Sequence, residues 1–432
     1  MNDGVITINI LGAVELKFVK KIFTALLVLT LLICNADISY GMENQGQAVK
    51  IVRINWRPMP GAVSYRLEIM KSNFADIGNR VVVKNRIPSN GYELDVSGHP
   101  DCMNYYWRVC PVNYDGIPMA GYSELKPLAM EELNPTSPRP TTEFEKMAYA
   151  PLYPAYSWIP TAGSGGYEIR VSRVKKGNAD NYQVIREFST KSNIFYEYGG
   201  YTWPGKYMWQ VRSLDKAGDP ATEWSVPCFF TVTPSAKIAA FGDSITHGGG
   251  ACNTPPGYLM YTWESYAGIP IKNLGCSGDT VEAMVERFNS DVVCFNPKIL
   301  IIMGGVNDFR EGNPAINIIN GMEQIRYLCE ENGIIPVFAT ATPINEELMH
   351  RIAEIEAPAA GWQEQQALLN QWIMGQPYHV DVTAGLTDEY GQLRADMTTD
   401  GLHPDHNGKR IIGEKIGKYI LSEFPEYDVS DK

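Results

Sequence analysis

The sequence lacks the features that mark nucleic-acid-binding, membrane-spanning, zinc-binding and phosphate-loop proteins. Acidic residues outnumber basic ones by 49 to 37, and the net charge of −12 argues against a nucleic-acid surface and against a basic membrane-binding patch. The apolar run at residues 22–33 is shorter than the roughly 20 residues of a transmembrane helix. No cysteine spacing resembles a zinc site, and no Gly-Lys-Ser/Thr follows the glycines at 248–250. We therefore expect no nucleic-acid partner, no metal and no integral membrane span.

The eight cysteines do not suggest a disulfide framework. Loss of Cys34 with an N-terminal signal leaves an odd number, which cannot all pair within one chain. Cys102 and Cys110 flank one predicted strand, whose extended length of about 27 Å is too great for a bridge. We therefore predict buried free thiols.

The N-terminus has the pattern of an export signal. Three lysines precede the apolar run at residues 22–33, and a cleavage site can follow within Cys34-Asn-Ala36. We predict a signal peptide over residues 1–36 and an exported protein, either periplasmic or secreted. Cys34 also allows anchoring as a lipoprotein, but Ile33 stands where lipoprotein signals carry a small residue, so simple export is favoured.

An internal repeat occupies the first half of the chain. Several distinctive residues recur at an offset of 102 positions without slippage, which chance does not explain. The pairs are Trp56 and Trp158, Tyr65 and Tyr167, Tyr105 and Tyr207, Trp107 and Trp209, Gly116 and Gly218, and Ser123 and Ser225. The segments around them alternate apolar and polar residues, as half-buried strands do, so the repeat predicts two β-sandwiches.

The repeated pattern resembles fibronectin type III modules. An early Trp is followed by Gly-Ala-Val-Ser-Tyr65 at the start of a strand, then by Trp-Arg-Val109 and by Gly116 before Tyr-Ser123. The resemblance predicts one module over residues 46–133 and a second over 142–235, joined by a stiff proline-rich linker. Such modules space, dock or bind, and nothing in them indicates catalysis.

From Ala236 onward, strand-like apolar segments alternate with helix-length segments. The predicted strands are 238–241, 269–274, 299–303, 334–339 and 379–382, and the predicted helices lie near 279–289, 314–331, 361–374 and 407–422. This alternation is typical of a parallel sheet covered by helices on both faces, the doubly wound α/β plan. We predict one such domain, flavodoxin-like in layout, over residues 236–424.

The candidate functional residues with polar side chains all follow the carboxyl ends of these predicted strands, where open α/β sheets bind their ligands. Ser244 follows the first strand, and Asp400 and His403 follow the fifth. A hydroxyl, an imidazole and a carboxylate together make a serine nucleophilic, and a gap of three residues lets Asp400 hold the ring of His403. The alternatives are that Ser244 is a plain helix N-cap, His403 a loop histidine and Asp400 a turn residue.

An acyl-transfer site also needs hydrogen-bond donors for the oxyanion of the tetrahedral intermediate. Gly278 follows the second predicted strand with an N–H that no side chain shields, and Asn307 follows the third with a side-chain amide. The N–H of Ser244 completes three donors. A strand-to-helix turn is the alternative for Gly278, and a loop cap is the alternative for Asn307.

These segments resemble the four signature blocks of the SGNH, or GDSL-type, hydrolase family, in the order typical of the family. The blocks are Gly242-Asp-Ser244, Gly278, Gly305-Val-Asn-Asp308 and Asp400-Gly-Leu-His403. The resemblance implies that Ser244 is the nucleophile, that His403 is the base oriented by Asp400, and that Ser244, Gly278 and Asn307 form the oxyanion hole. Ile245 replaces the leucine of many members, which leaves the catalytic set intact.

Other residues near these blocks are weaker candidates. His247 and Arg310 are candidates for contacts with substrate, whereas Asp243 and Asp308 are expected to brace loops. Three aromatic residues can form either a sugar-binding platform or part of a helix core, and we favour the core: Tyr258, Tyr261 and Trp263.

The predicted function is hydrolysis of O-acyl esters, chiefly O-acetyl esters of a carbohydrate, through an acyl-Ser244 intermediate and without a cofactor. Export, acidic charge and the appended sandwiches favour a glycan or another acylated small molecule as substrate. A lysophospholipase or short-chain lipase is the second interpretation, because the family resemblance embraces both. A non-catalytic carbohydrate-binding or adhesion protein is the alternative from another class, and the complete Ser, Asp and His set counts against it.

Overall fold

A computed structural model of the chain describes residues 50–175, 181–250, 254–350 and 355–427. The predicted signal peptide and Cys34 lie outside these residues. Within the described ranges, no helix has both the length and the apolar character needed to cross a membrane.

Residues 51–133 form a first β-sandwich of two antiparallel sheets. Its strands are β1 (Ile51–Asn55), β2 (Ser64–Met70), β3 (Arg80–Ile87), β4 (Gly91–Asp95), β5 (Tyr106–Val112), β6 (Lys126–Pro127) and β7 (Glu132–Leu133). One sheet has the order β4-β1-β7 and the other the order β3-β2-β5-β6. Apolar residues of both sheets pack in the space between them, where Trp56 and Trp107 are buried.

Residues 139–232 form a second sandwich with the same division into three and four strands. Its strands are β8 (Arg139–Pro140), β9 (Ala155–Ile159), β10 (Gly166–Val174), β11 (Tyr182–Thr190), β12 (Ile194–Tyr196), β13 (Gly205–Leu214) and β14 (Cys228–Val232). Its sheets have the orders β12-β9-β8 and β11-β10-β13-β14. The predicted all-β character of the first half of the chain is therefore confirmed.

The 102-residue repeat extends to individual hydrogen bonds. The hydroxyl of Tyr65 accepts the N–H of Met59 at 2.8 Å, and that of Tyr167 accepts the N–H of Thr161 at 2.8 Å. Two further bonds match at the same offset, each from a strand N–H to a serine hydroxyl at 3.1 Å: Val109 to Ser123, and Val211 to Ser225. The residues that recur in the sequence are thus those that fix corners and pack the core.

The rest of the chain forms a five-stranded sheet with helices. The strands are β15 (Ile238–Gly242), β16 (Lys272–Asn273), β17 (Ile299–Met303), β18 (Ile335–Ala339) and β19 (His379–Val380). The helices are α1 (Ser244–His247), α2 (Val281–Asp291), α3 (Val306–Arg310), α4 (Ala315–Glu331), α5 (Glu346–Met349), α6 (Trp362–Met374) and α7 (His406–Glu423). All strand pairs are parallel, in the order β16-β15-β17-β18-β19, which confirms the predicted doubly wound α/β plan.

The second sandwich and the α/β domain share one continuous apolar core. The segment before β9 runs along the edge of the parallel sheet, where the N–H of Leu152 donates to the carbonyl of Asn273 at 3.0 Å. Lys272 is buried at the same edge, and its ammonium group donates to the carbonyl of Ala150 at 2.7 Å. This contact belongs to the interior of the protein rather than to a loose domain junction.

Two expectations about individual side chains need revision. The six cysteines within the described ranges are free, but Cys294 is exposed and two others are partly exposed, so the prediction of buried thiols is only partly right. Tyr261 and Trp263 are buried in short 3-10 turns rather than in an α-helix, and Tyr261 accepts the N–H of Gly61 at 3.0 Å. They pack the core and do not form a sugar platform.

Helix α7 packs against the turn Trp263–Tyr266 through glycines that allow close backbone contact. A Cβ atom at Gly417 would lie 1.9 Å from the carbonyl oxygen of Ala267, so Gly417→Ala must displace the helix. We expect this change to lower the free energy of unfolding by about 1–3 kcal/mol, measured by urea denaturation. In Gly375→Ala, where the nearest atom is 3.4 Å away, the change should stay within about 0.5 kcal/mol. Equal midpoints for the two variants would contradict this packing.

Candidate active site

Ser244, His403 and Asp400 form a continuous line of hydrogen bonds at the carboxyl ends of the parallel strands. Ser244 Oγ lies 2.9 Å from His403 Nε2, and His403 Nδ1 lies 2.8 Å from Asp400 Oδ2. The Asp400 side chain is 1% exposed, whereas that of His403 is 21% exposed. The arrangement thus runs from a buried carboxylate through a partly exposed imidazole to Ser244, which is 9% exposed.

The short loop between Asp400 and His403 positions the imidazole. Asp400 Oδ1 accepts the N–H groups of Leu402 at 2.9 Å and His403 at 2.7 Å, which folds the chain into one tight turn. The hydroxyl of Thr398 closes the loop by donating to the carbonyl of His403 at 2.8 Å. As predicted, Asp400 folds back over one turn and holds the ring nitrogen of His403.

The charge on Asp400 determines where the imidazole proton lies. Burial alone would raise the pKa of this carboxyl, but the charge of His403 and the hydrogen bonds from Leu402 and His403 hold it below the usual aspartate value. The ionised Asp400 therefore accepts a proton-bearing Nδ1. This leaves the lone pair of His403 Nε2 directed at the hydroxyl of Ser244.

The geometry around Ser244 rules out its interpretation as a helix N-cap. The N-cap of α1 is Asp243, whose carboxylate accepts the N–H of Ile245 at 2.9 Å, and Ser244 is the first residue of the helix. Burial raises the pKa of Asp243 to about 7. A Cβ atom on Gly242 would lie 2.1 Å from the carbonyl oxygen of Met303, so β15 and β17 can approach this closely only with glycine there.

Gly278 and Asn307 follow β16 and β17, the two strands that pair with β15 on either side. Gly278 is exposed, with φ of +86°, and no atom within 4 Å would contact a Cβ atom there. Asn307 is buried in the first turn of α3, and its amide donates to the carbonyl of Asp279 at 2.8 Å. Asp308 caps α2 by accepting the N–H of Val281 at 2.9 Å, so it braces a helix as expected.

Arg287, on α2, joins three segments of the site and had not been singled out from the sequence. Its guanidinium donates to the carbonyl of Gly242 at 3.0 Å, the carbonyl of Leu274 at 2.8 Å and the carboxylate of Asp279 at 2.5 Å. It thereby ties the end of β15 to the loop that carries Gly278. The available sequence signal was the Arg287 and Asp291 pair at helical spacing, which the structure shows as an ion pair.

His247 and Arg310, the two candidates for substrate contacts, have other partners. His247 is 2% exposed, and its Nε2 lies 2.5 Å from the carbonyl oxygen of Tyr153, while its Nδ1 accepts the N–H of Ser277 at 3.2 Å. Arg310 ends α3 with its guanidinium 3.1 Å from Glu311. The structure therefore places His247 between two backbone segments rather than in an open cleft.

A buried lysine holds α1, the helix that carries Ser244. Lys409, on α7, is fully buried and donates to the carbonyl of Ile245 at 2.5 Å. Burial lowers the pKa of Lys409 below the usual lysine value, and it raises the pKa of the neighbouring Glu264 above the usual glutamate value. The contact fixes α1 to the helix that follows His403, so the two catalytic segments share one support.

The burial of His247 predicts a specific dependence of stability on pH. Desolvation lowers the pKa of His247 to about 4 in the folded chain, against 6.5 in the unfolded chain. The unfolded state therefore binds more protons between these values, and stability is lost as the pH falls from about 6.5 to about 4. We expect His247 to contribute up to about 3 kcal/mol of this loss, since each pKa unit is worth about 1.4 kcal/mol.

Urea unfolding of the unmodified protein and of His247→Gln across this pH range measures the contribution. The variant should show the flatter dependence, because it retains the other groups but lacks the imidazole. Parallel curves would contradict the prediction.

The α/β domain is similar to proteins that are already known. Residues 240–411 match the model of the GDSL-like lipase/acylhydrolase family. An uncharacterized lipoprotein, YqeF, of Bacillus subtilis (strain 168) is 35% identical over 121 residues, which are 25% of this chain and 49% of that protein. The chain thus spans about half the length of this curated relative.

Solved structures of similar proteins each cover less than half of the chain. A GDSL-like lipase from Bacteroides thetaiotaomicron is 20% identical with a TM-score of 0.36, over 45% of this chain and 93% of the lipase. A catalytic mutant of an acetylxylan esterase from Geobacillus stearothermophilus is 18% identical with a TM-score of 0.32, over 44% of this chain and 94% of the esterase. The family match covers the four motif segments and most of the parallel sheet, so residues 240–411 resemble a GDSL-like, SGNH-type acylhydrolase domain.

Proposed function

We propose that the protein is a serine esterase in which Ser244 attacks the acyl carbon of an ester. The hydrogen-bonded line from Ser244 through His403 to Asp400 is the observation that carries this proposal. His403 Nε2 takes the hydroxyl proton as the Ser244 Oγ to carbon bond forms, and Asp400 stabilises the imidazolium. The tetrahedral intermediate then collapses, and the leaving alcohol takes the proton from His403.

The second half of the reaction releases the acid. Water gives a proton to His403 Nε2 as it attacks the acyl-Ser244 carbon, and collapse of this second intermediate returns the proton to Ser244. In both halves the N–H groups of Ser244 and Gly278 and the amide of Asn307 are the proposed donors to the oxyanion. Within the described residues, the Asn307 amide has one recorded acceptor, Asp279, which leaves a second hydrogen for the substrate.

We propose an O-acetylated glycan as the substrate of an exported enzyme. The predicted signal peptide, the lipoprotein relative and the net charge of −12 support export and a soluble or cell-surface substrate. Tyr198, next to β12 in the second sandwich, is 55% exposed and interacts electrostatically with Asp279, and we propose that its ring packs against a sugar of the substrate. A lysophospholipase or short-chain lipase remains the second candidate, because the matched family includes lipases.

We further propose that the two sandwiches are fibronectin type III-like modules, over residues 46–133 and 142–235, with the hydrolase over 236–424. The support is the identical division of each sandwich into sheets of three and four strands and the exact repeat of their corner hydrogen bonds.

Ser244→Ala tests the nucleophile. Removal of the hydroxyl should lower kcat for p-nitrophenyl acetate by roughly 10⁴-fold or more, since no other group can form the acyl intermediate. Ser123→Ala, which removes a structural hydroxyl in the first sandwich, should retain activity. Circular dichroism of both variants checks the fold. Undiminished hydrolysis by Ser244→Ala would refute the assignment, and glycan binding without turnover by the unmodified protein would favour a non-catalytic binding protein.

Acyl-chain preference separates the two candidate substrates. We expect kcat/KM to fall along a series of p-nitrophenyl esters from acetyl to palmitoyl, because the proposed substrate carries acetyl groups. Release of acetate from acetylated polysaccharides, compared with fatty-acid release from lysophospholipids, gives the second measurement. A preference for long chains would replace the glycan proposal with the lipase alternative.

A further inference from the structure

Tyr153 of the second sandwich contacts the α/β domain through both ends of the residue. It lies just before β9, with 8% of its surface exposed. Its backbone carbonyl lies 2.5 Å from His247 Nε2, and its hydroxyl donates to Asp291 Oδ2 at 2.5 Å. Each contact begins a chain of hydrogen bonds into the active site.

The first chain passes through His247. A carbonyl oxygen only accepts hydrogen bonds, so His247 Nε2 carries the proton that faces Tyr153. The lone pair then lies on His247 Nδ1, which accepts the backbone N–H of Ser277 at 3.2 Å and lies 2.8 Å from the Ser277 hydroxyl. Ser277, which this chain of hydrogen bonds holds, directly precedes Gly278.

The second chain passes through Arg287. Asp291 Oδ2, which accepts the Tyr153 hydroxyl, also lies 3.2 Å from Arg287 Nη1. Arg287 Nε in turn donates to Asp279 Oδ2 at 2.5 Å. Asp279, which this second chain of hydrogen bonds holds, directly follows Gly278.

Gly278 depends on its neighbours for its orientation. It has no side chain, it is exposed, and a Cβ atom there would touch nothing within 4 Å, so no packing of its own fixes its N–H. An oxyanion donor must be aimed to within a fraction of an ångström, and loss of one such donor costs roughly 10² to 10³ in kcat. The direction of the Gly278 N–H is therefore set by what holds Ser277 and Asp279.

We propose that Tyr153 is a positioning residue for the oxyanion hole, and that through it the second sandwich is a working part of the catalytic unit. The inference rests on the proposed function, in which the Gly278 N–H stabilises the oxyanion. Since the oxyanion exists only in the transition state and intermediates, loss of positioning lowers kcat and leaves KM nearly unchanged.

Tyr153→Phe removes one oxygen atom and cuts the second chain without disturbing the packing of the ring. We expect kcat for p-nitrophenyl acetate to fall about tenfold or more, with KM changed by less than about threefold. His247→Asn cuts the first chain, because its shorter amide can accept the Ser277 N–H but cannot reach the Tyr153 carbonyl. We expect the same pattern in this variant.

Tyr258→Phe is the matched control. The Tyr258 hydroxyl also crosses from the α/β domain to the second sandwich, donating to Thr141 at 2.8 Å, but it does not connect to the loop that carries Gly278. The control should lose thermal stability to the same extent as Tyr153→Phe and keep its kcat. Equal kcat in Tyr153→Phe and Tyr258→Phe would overturn the proposal, because it would reduce Tyr153 to an ordinary interface residue.

Hydrogen exchange provides a readout that does not require activity. In full-length protein, amides of a peptide spanning residues 275–280 should exchange about tenfold faster in Tyr153→Phe than in the unmodified protein or in Tyr258→Phe. Unchanged exchange in this peptide would refute the positioning role. If the unmodified protein hydrolyses no ester, the proposed function fails, whereas faster exchange would still establish that Tyr153 holds this loop.

Discussion

The hydrogen bond from Ser244 to His403 joins residues 159 positions apart, and the α/β domain is arranged so that it can form. Ser244 is delivered by the first strand of the parallel sheet, and His403 by the loop that precedes the last helix. Lys409 fixes these two segments to each other, because its buried ammonium group binds the carbonyl next to Ser244. A buried charge is costly unless its donors are used, so this contact specifies one relative position of the two segments.

The same requirement for fixed geometry explains why buried charges gather around the site. Arg287 holds two backbone carbonyls and two carboxylates at the ends of the strands, where loops would otherwise be held by few contacts. Loops tolerate change better than strands, and a site built on loops needs such cross-links to stay ordered. The acidic and basic side chains near Ser244 thus orient the backbone that surrounds the reacting groups.

Much of this was predictable from the sequence, because periodic patterns reflect local structure. The strands of the sheet, the four longer helices and the 102-residue repeat follow from the spacing of apolar residues, and the turn from Asp400 to His403 follows from a three-residue gap. The role of His247 did not follow, since nothing local shows that a residue 94 positions away accepts its proton. Contacts between segments far apart in the sequence leave no periodic trace, so the roles of Tyr153 and Lys409 could be recognised only from the folded chain.

The shared core of the second sandwich and the α/β domain bears on how such proteins can be recombined. A hydrolase domain separated from the second sandwich at their junction would expose the apolar edge beside β16. In the intact protein the segment before β9 covers this edge. The separation would also leave Lys272 with no acceptor for its buried ammonium group. A piece of the chain that genetic exchange can transfer intact must therefore include the segment before β9, which covers the edge of the sheet. Its start lies within the sandwich region, upstream of that segment.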